Sequence, residues 1–284
     1  MISTQSSGPE TNTYKSILSK TTRIALLFLS LALLIASYPF SFAWRLYSKR
    51  KPRNTSWTFG ISAIFSKEST YWKKHLNNFG LDISGKEVID VGSGNGQWLI
   101  ALSELGAITV CGAEPNDEVR NYSIKKVREY DDKLNIDIID SSAESLPFPD
   151  NSFDLLLCMG VFMFTDQNIA LKEFFRVLRP NGQLLLTANG LGYFIMKAKE
   201  GILFSQFREI KYGLTGLLYS FVKWNFGIQL GSCAVNTGEM SHKLKTQGFQ
   251  LVTVSLYNMM ELYPLEHFSF PTNYGFKAQK VQCP

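Results

Sequence analysis

The stretch that decides the fold is Glu87-Val88-Ile89-Asp90-Val91-Gly92-Ser93-Gly94-Asn95-Gly96, which continues into Gln97-Trp98-Leu99-Ile100-Ala101-Leu102. Val88, Ile89 and Val91 form a short β-branched apolar run, and the residues after Gly96 have helical spacing, so a buried strand passes abruptly into a helix. Glycines fill the turn between them. They can take backbone angles closed to other residues and let a ligand come close to the main chain. The free N–H groups at the start of the helix then favour an electron-rich or anionic ligand group.

The glycine spacing narrows the choice of ligand. A dinucleotide fingerprint, G-x-G-x-x-G, requires glycine at position 97, where this chain has Gln97. The spacing is instead G-x-G-x-G, and Asp90 lies two residues before the first glycine, at the carboxyl end of the strand. A carboxylate there repels a pyrophosphate and suits a ligand that carries an ammonium. A nicotinamide oxidoreductase is therefore the disfavoured alternative. The arrangement resembles motif I of the class I S-adenosylmethionine-dependent methyltransferases, whose ligand has an amino-acid end of that kind. The resemblance implies S-adenosyl-L-methionine as cofactor, held by Asp90, Gly92, Ser93, Gly94 and Gly96.

A second apolar strand, 108–112, closes on Ala113-Glu114-Pro115-Asn116. Glu114 lies eighteen residues beyond Gly96, close to the distance at which a doubly wound fold presents an acid to ribose hydroxyls. A carboxylate can accept two hydrogen bonds from a vicinal diol. The bland alternative is an exposed acid at the start of the next helix, where Asp117 and Glu118 also favour the dipole. A helix follows to about Tyr130, then a third strand over 135–139.

The string Ser141-Ser142-Ala143-Glu144-Ser145-Leu146-Pro147-Phe148-Pro149-Asp150-Asn151-Ser152-Phe153-Asp154 precedes a fourth apolar strand, 155–159. It resembles the segment D-A-E-x-L-P-F-x-D-x-S-F-D of type 11 methyltransferases. The acid placed near the adenine in that family is Ser142 here; its hydroxyl can still accept a hydrogen bond, and backbone groups around Ala143 offer a second route. The resemblance also places Pro115, Glu144 and Met159 at the cofactor.

Asp166 begins a helix whose apolar positions Ile169, Leu171, Phe174, Phe175 and Leu178 read as a core face, with Arg176 and Arg179 in its last turn. Arg179-Pro180-Asn181-Gly182 then turns into a fifth strand, 183–188, as in the same family. A helix over 236–247 stops at Gly248, and 249–257 and 274–281 read as the last two strands. Alternating strands and helices, with runs too apolar to leave one face wet, imply a parallel sheet covered on both sides. The expected fold is α/β: a doubly wound, Rossmann-like, mostly parallel seven-stranded sheet with an antiparallel last strand inserted beside the fifth. The resemblance runs from about Gly85 to Lys280.

Ahead of this domain, 57–284, the sequence divides into a tail (1–23), an uncharged apolar run (24–44) and a basic stretch (45–56). Residues 24–44 are long enough to cross a roughly 30 Å hydrocarbon layer. A cleaved signal peptide is the alternative, since Ser41-Phe42-Ala43 is a passable processing site. Arg45, Lys49, Arg50, Lys51 and Arg53 follow the run directly and outweigh Lys15, Lys20 and Arg23 before it. That bias favours a retained single-pass anchor with the domain in the cytosol.

The chain carries a formal charge of +5, yet residues 1–56 hold eight cations and one acid, leaving 21 cations and 23 acids beyond. The domain is thus slightly acidic, against nucleic acid as substrate. Cys111, Cys158, Cys233 and Cys283 have no metal-ligand rhythm, and His75, His242 and His267 are not spaced as a zinc site.

Residues 190–235 break the alternation and are rich in aromatics, including Tyr193, Phe194, Phe207, Tyr212, Tyr219 and Trp224. In related enzymes an insertion here forms a substrate lid. With the anchor, it suggests a small-molecule or lipid-like acceptor near a membrane. His242, His267, Glu239, Tyr193 and Glu266 could serve as a base by type alone, so no catalytic residue is named. A protein that binds S-adenosylmethionine and transfers nothing is the alternative function.

Overall fold

The computed structural model describes residues 69–203, 206–226, 232–256, 266–267, 270–271 and 273–281. The uncharged run 24–44 and the cations after it lie outside these. Among the described residues no helix is long and apolar enough to cross a membrane.

Helix α1 (Ser69–Asn78) leads into β1 (Glu87–Val91), α2 (Gln97–Glu104), β2 (Thr109–Ala113), α3 (Asp117–Tyr130) and β3 (Ile136–Ile139). Then follow β4 (Phe153–Cys158), a 3-10 turn (Phe162–Phe164), α4 (Gln167–Val177) and β5 (Leu178–Asn189). A helical hairpin comes next, α5 (Leu191–Leu203) and α6 (Phe207–Phe226), then α7 (Thr237–Thr246), β6 (Phe249–Leu256), the short pair β7 (Glu266–His267) and β8 (Phe270–Pro271), and β9 (Asn273–Lys280).

Seven strands form one sheet in the order β3-β2-β1-β4-β5-β9-β6. The first five are parallel, and β9 runs antiparallel between β5 and β6. This is the doubly wound sheet with an inserted antiparallel strand that the sequence implied. The order reverses between β1 and β4, which is where such sheets bind ligands, beyond the carboxyl ends of the strands.

Alternation along the strands sorts the core into two layers. Ile89, Val91, Cys111, Leu156, Cys158, Leu184 and Leu186 pack beneath Phe174 and Val177 of α4 and Met240 and Leu244 of α7. On the other face, Val88, Val110, Leu155, Leu157 and Leu185 meet Trp72 and Leu76 of α1 and Trp98, Leu99 and Leu102 of α2. Both faces are covered, so the central strands carry no polar alternation.

Two expectations fail in α4. Ile169 is 46% exposed, because the buried stripe runs through Ala170, Leu171, Phe174 and Val177. Arg179 is not in the helix. Pro180 forces the residue before it out of helical conformation, and β5 begins at Leu178. Leu178 pairs with Phe153 and Gln183 with Leu155, so residues 179–182 loop out as a bulge within the strand, with Asn181 at φ 65°. The bulge carries Arg179 to Glu87, with which it forms an ion pair, and to Asp154 at 2.9 Å.

The hairpin's helices meet at backbone distance. A Cβ added at Gly213 would lie 2.4 Å from the Ala198 nitrogen, and one at Gly216 would lie 1.9 Å from the ring of Phe194.

Candidate functional site

The carboxyl ends of β1 and β2 lie side by side, with Val91 beside Ala113. The turn after β1 is tied to the end of β2: the Gly92 and Ser93 N–H groups both donate to the Ala113 carbonyl, at 2.8 and 3.1 Å. Gly92, Gly94 and Gly96 all have positive φ, at 74°, 54° and 85°, which explains why the turn is written in glycine. The three face different neighbours. A Cβ on Gly96 would strike the Ser123 hydroxyl at 2.4 Å, and one on Gly92 would strike Val161 at 2.5 Å. On Gly94 it would meet nothing nearer than 3.9 Å. Gly96 and Gly92 are therefore required by packing within the protein, whereas Gly94 faces open space.

Asp90 is 0% exposed, and neither of its carboxylate oxygens has a hydrogen-bond partner among the described residues. Burial, reinforced by the nearby Glu114 carboxylate, pushes its pKa from the ordinary 3.8 up to about 8. A carboxylate in such a place either keeps its proton or waits for a cation. Ser93 beside it is 1% exposed, and its hydroxyl likewise lacks a partner among the described residues.

Glu114, 9% exposed, crosses from β2 to the glycine turn. One oxygen accepts from the Gly94 N–H at 3.1 Å and the other from the Asn116 N–H at 2.9 Å. Each oxygen retains a lone pair for a further donor. Arg120 holds the Glu114 carbonyl at 2.8 Å, and the Asn116 side chain caps α3 by accepting from the Val119 N–H at 3.1 Å. Pro115 is exposed beside them.

Ser142, Ala143 and Glu144 follow β3, so their loop reaches the same edge from β2's far side. Ala143 is buried and Ser142 half-buried. Glu144 accepts from the Asp166 N–H at 2.8 Å, which fastens this loop to the start of α4. Met159, at the end of β4, is buried in the α1 and α2 layer with Trp72 and Trp98. The fold thus gathers Asp90, Ser93, Gly94, Glu114, the Ser142 loop and Met159 at the carboxyl edge of the four adjacent strands β3, β2, β1 and β4. Among the described residues no group of three or more His, Cys, Asp or Glu is disposed to hold a metal ion.

Several supporting contacts join residues far apart in the sequence. Arg176 staples the loop ahead of β4, donating to the carbonyls of Leu146 at 2.8 Å and Phe148 at 2.7 Å, while pairing with Glu173 and Asp150. Glu173 also accepts from the Leu146 N–H at 2.9 Å. Val161 sits against Gly92, and Thr187 of β5 accepts from the Gly160 N–H at 2.8 Å. The hairpin is moored to α7, and α7 to α4: Glu239 pairs with Lys223 of α6 and with Lys243, each at 3.1 Å, and Lys243 donates to Gln167 at 2.9 Å. Of the groups named as a base by type, Glu239 is therefore engaged in this mooring. His267 and Glu266 form β7, and Tyr193 packs edge-on against Phe194 and Tyr212.

Residues 89–186 match the sequence family described as methyltransferase domain. The ubiquinone/menaquinone biosynthesis C-methyltransferase UbiE of Shewanella frigidimarina is 32% identical over 121 residues, which are 41% of this chain and 47% of that one. The protein of the same name from Escherichia coli O1:K1 is 32% identical over 146 residues, 49% of this chain and 54% of that one. The chain spans about half the length of these relatives. Among solved structures, a SAM-dependent methyltransferase from Aquifex aeolicus superposes with a TM-score of 0.51 at 20% identity, over 74% of this chain and 89% of that one. Another from Methanosarcina mazei gives 0.53 at 20% identity, over 73% and 98%. At that identity the likeness establishes a shared fold.

Proposed function

We propose that this chain, whose residues 89–186 match the methyltransferase domain family, binds S-adenosylmethionine at the edge of β1 and β2 and methylates a small apolar acceptor. The observation that carries the reading is Asp90: a buried carboxylate without a partner among the described residues, at the foot of a glycine turn where a Cβ on Gly94 would meet nothing nearer than 3.9 Å. The cofactor's ammonium is the cation that completes it, and its sulfonium supplies a methyl group whose transfer is already favourable.

The protein's part is placement. Asp90 and the glycine turn hold the amino-acid end, and Ser93 offers its unpartnered hydroxyl to the same group. Glu114 is fixed through Gly94 and Asn116 with lone pairs left for the ribose diol. The Ser142 hydroxyl and the main chain at Ala143 line the adenine end, with Pro115, Glu144 and Met159 around it. Fixing both ends of the ligand would hold its methyl group in one place relative to the acceptor, so that rate would arise from alignment and exclusion of water.

The helices α5 and α6 act as the lid over the acceptor, held down by Lys223, Glu239 and Lys243. Their aromatic content suits an apolar acceptor, and the relatives are named for carbon methylation in ubiquinone and menaquinone biosynthesis. The uncharged run 24–44 and its trailing cations support a single-pass anchor that leaves the domain on the cytosolic side. Calorimetric titration with S-adenosylmethionine tests the site: no heat of binding from folded protein refutes it. Release of S-adenosylhomocysteine on adding membrane extract tests turnover, and binding without release would mark a non-catalytic binder.

A further inference from the structure

The residues that would hold the cofactor line the carboxyl edge from β3 to β4, and β5 and β9 continue that edge. Asn189, the last residue of β5, lies directly across from Asn273, the first of β9. Each is only 8% exposed, and neither side chain makes a hydrogen bond among the described residues. A carboxamide offers two donors and one acceptor. Leaving them unmet at such burial is costly unless a ligand meets them.

Pleating fixes which way the two amides face. Leu184 and Leu186 of β5, with Phe276 and Ala278 of β9, lie in the layer under α4 and α7. The alternate positions face α1: Leu185 packs there, and a Cβ on Gly275 would lie 2.7 Å from the ring of Phe79, just past α1. Thr187, Asn189 and Asn273 continue that face. Asp90 shares it, two residues beyond Val88, as does Met159. Thr187 links the two ends, since its hydroxyl accepts from the N–H of Gly160, the residue after Met159. The register aligns Asp90 with Leu157 and Leu157 with Leu185. Asn189 therefore stands about 13 Å further along the strands and about 10 Å to the side away from Glu114. The hairpin springs from the same point, with α5 beginning at Leu191.

The chemistry at this end is uncharged. Along the face, β5 presents Leu185, Thr187 and Asn189, and β9 presents Lys277, Gly275 and Asn273. Lys277 is the one charge among these six, and it is spent on the carbonyls of Phe79 and Gly80, at 3.2 and 2.5 Å. A carboxylate would find no free counter-charge among them, whereas a hydroxyl or carbonyl oxygen can exchange hydrogen bonds with both amides. We propose that Asn189 and Asn273 together bind an uncharged oxygen, hydroxyl or carbonyl, on an otherwise apolar acceptor, a role that rests on the methyltransferase reading of the crevice.

The test uses the full chain, with and without S-adenosylhomocysteine, and four small aromatic probes: phenol, acetophenone, toluene and benzoate. In equilibrium dialysis, phenol or acetophenone should bind about tenfold more tightly than toluene or benzoate, and the tighter of the two identifies the group as hydroxyl or carbonyl. Asn189→Leu and Asn273→Leu should each remove that preference while leaving the affinities for toluene and S-adenosylhomocysteine unchanged. Without ligand, both variants should melt at or above the native midpoint, because leucine of similar size replaces an amide that lacks a partner. Toluene or benzoate binding as tightly as the oxygen probes overturns the proposal, and so does a preference that survives both substitutions. A midpoint lower by about 4 °C or more in both variants also overturns it, since the amides would then be bonded within the fold. The cofactor arm separates the two readings. Binding of S-adenosylhomocysteine without the oxygen preference refutes the asparagine pair and keeps the crevice, and the preference without cofactor binding does the reverse.

Discussion

Replacing Asp90 by asparagine is expected to stabilise the ligand-free protein while abolishing cofactor binding. The carboxyl is fully buried with no partner among the described residues, and its pKa is raised from 3.8 to about 8. The sign follows from proton counting. Between those two values the folded state holds a proton that the unfolded state has released, so stability falls as pH rises. The loss is absent below pH 3.8, grows by about 1.4 kcal/mol per unit, and is complete above about pH 8. At pH 7 the window spans roughly three units, which gives a cost on the order of 4 kcal/mol. Asparagine has nearly the same shape and no charge. It keeps an unpartnered polar group in the pocket, as the protonated acid does, so that penalty cancels in the comparison. Denaturant unfolding at pH 5, 6, 7 and 8 should show Asp90→Asn gaining on the native sequence by about 1.4 kcal/mol per unit. At neutral pH the midpoint temperature should rise on the order of 10 °C for a domain of this size. Saturating S-adenosylmethionine should reverse the order, since the native protein gains binding energy that the variant lacks. A stability difference that does not change with pH would refute the claim that this carboxylate lacks a partner.

Cofactor affinity itself should peak near pH 8: below it Asp90 must lose a proton to meet the ammonium, and above it the ammonium loses its own, at an ordinary pKa of about 7.7–8.0. Calorimetry at pH 6.5 in two buffers of different ionisation heat should count about one proton released, and no release would contradict the pairing. Gly94→Val should lower affinity at least 100-fold, or about 2.7 kcal/mol, because the added side chain enters the space beside the turn and strains a backbone at φ 54°; native affinity in the folded variant would place the ligand elsewhere. Arg176→Ala frees the carbonyls of Leu146 and Phe148 and should cost about 2–3 kcal/mol, with faster amide exchange over 144–150; unchanged exchange there would remove Arg176 from the role. Gly216→Leu drives a side chain into Phe194 and should open the hairpin to protease with the sheet intact, whereas resistance equal to the native chain would show the crossing to be loose.

The sheet was legible because its signals are local. The β1 run, its glycine turn and the acid at the end of β2 each lie within a few residues, and the order of parallel strands follows from how such units pack. Features made by residues far apart in sequence were not legible. Arg176 is expected at the dipole of its helix, yet its partners include the carbonyls of Leu146 and Phe148, brought beneath it by the fold. The apolar rhythm continues through Leu178 and so carries the expected helix as far as Arg179. Pro180 gave the contrary signal, and a bulge pairing Leu178 with Phe153 decided the outcome. Ile169 fits a helical stripe as well as Ala170 does, and only the sheet beneath selects between them. The sequence also could not distinguish the three glycines, one of which faces Ser123, one Val161 and one open space.

The central claim is that the crevice at β1 and β2 grips S-adenosylmethionine by both ends. A crystal structure of the chain with S-adenosylhomocysteine, which keeps the same ammonium and ribose, tests it most directly. The account predicts the ammonium within about 3 Å of Asp90 and the ribose diol on Glu114 at hydrogen-bond distance. A ligand bound elsewhere, or bound here with Asp90 still unpartnered, would contradict it.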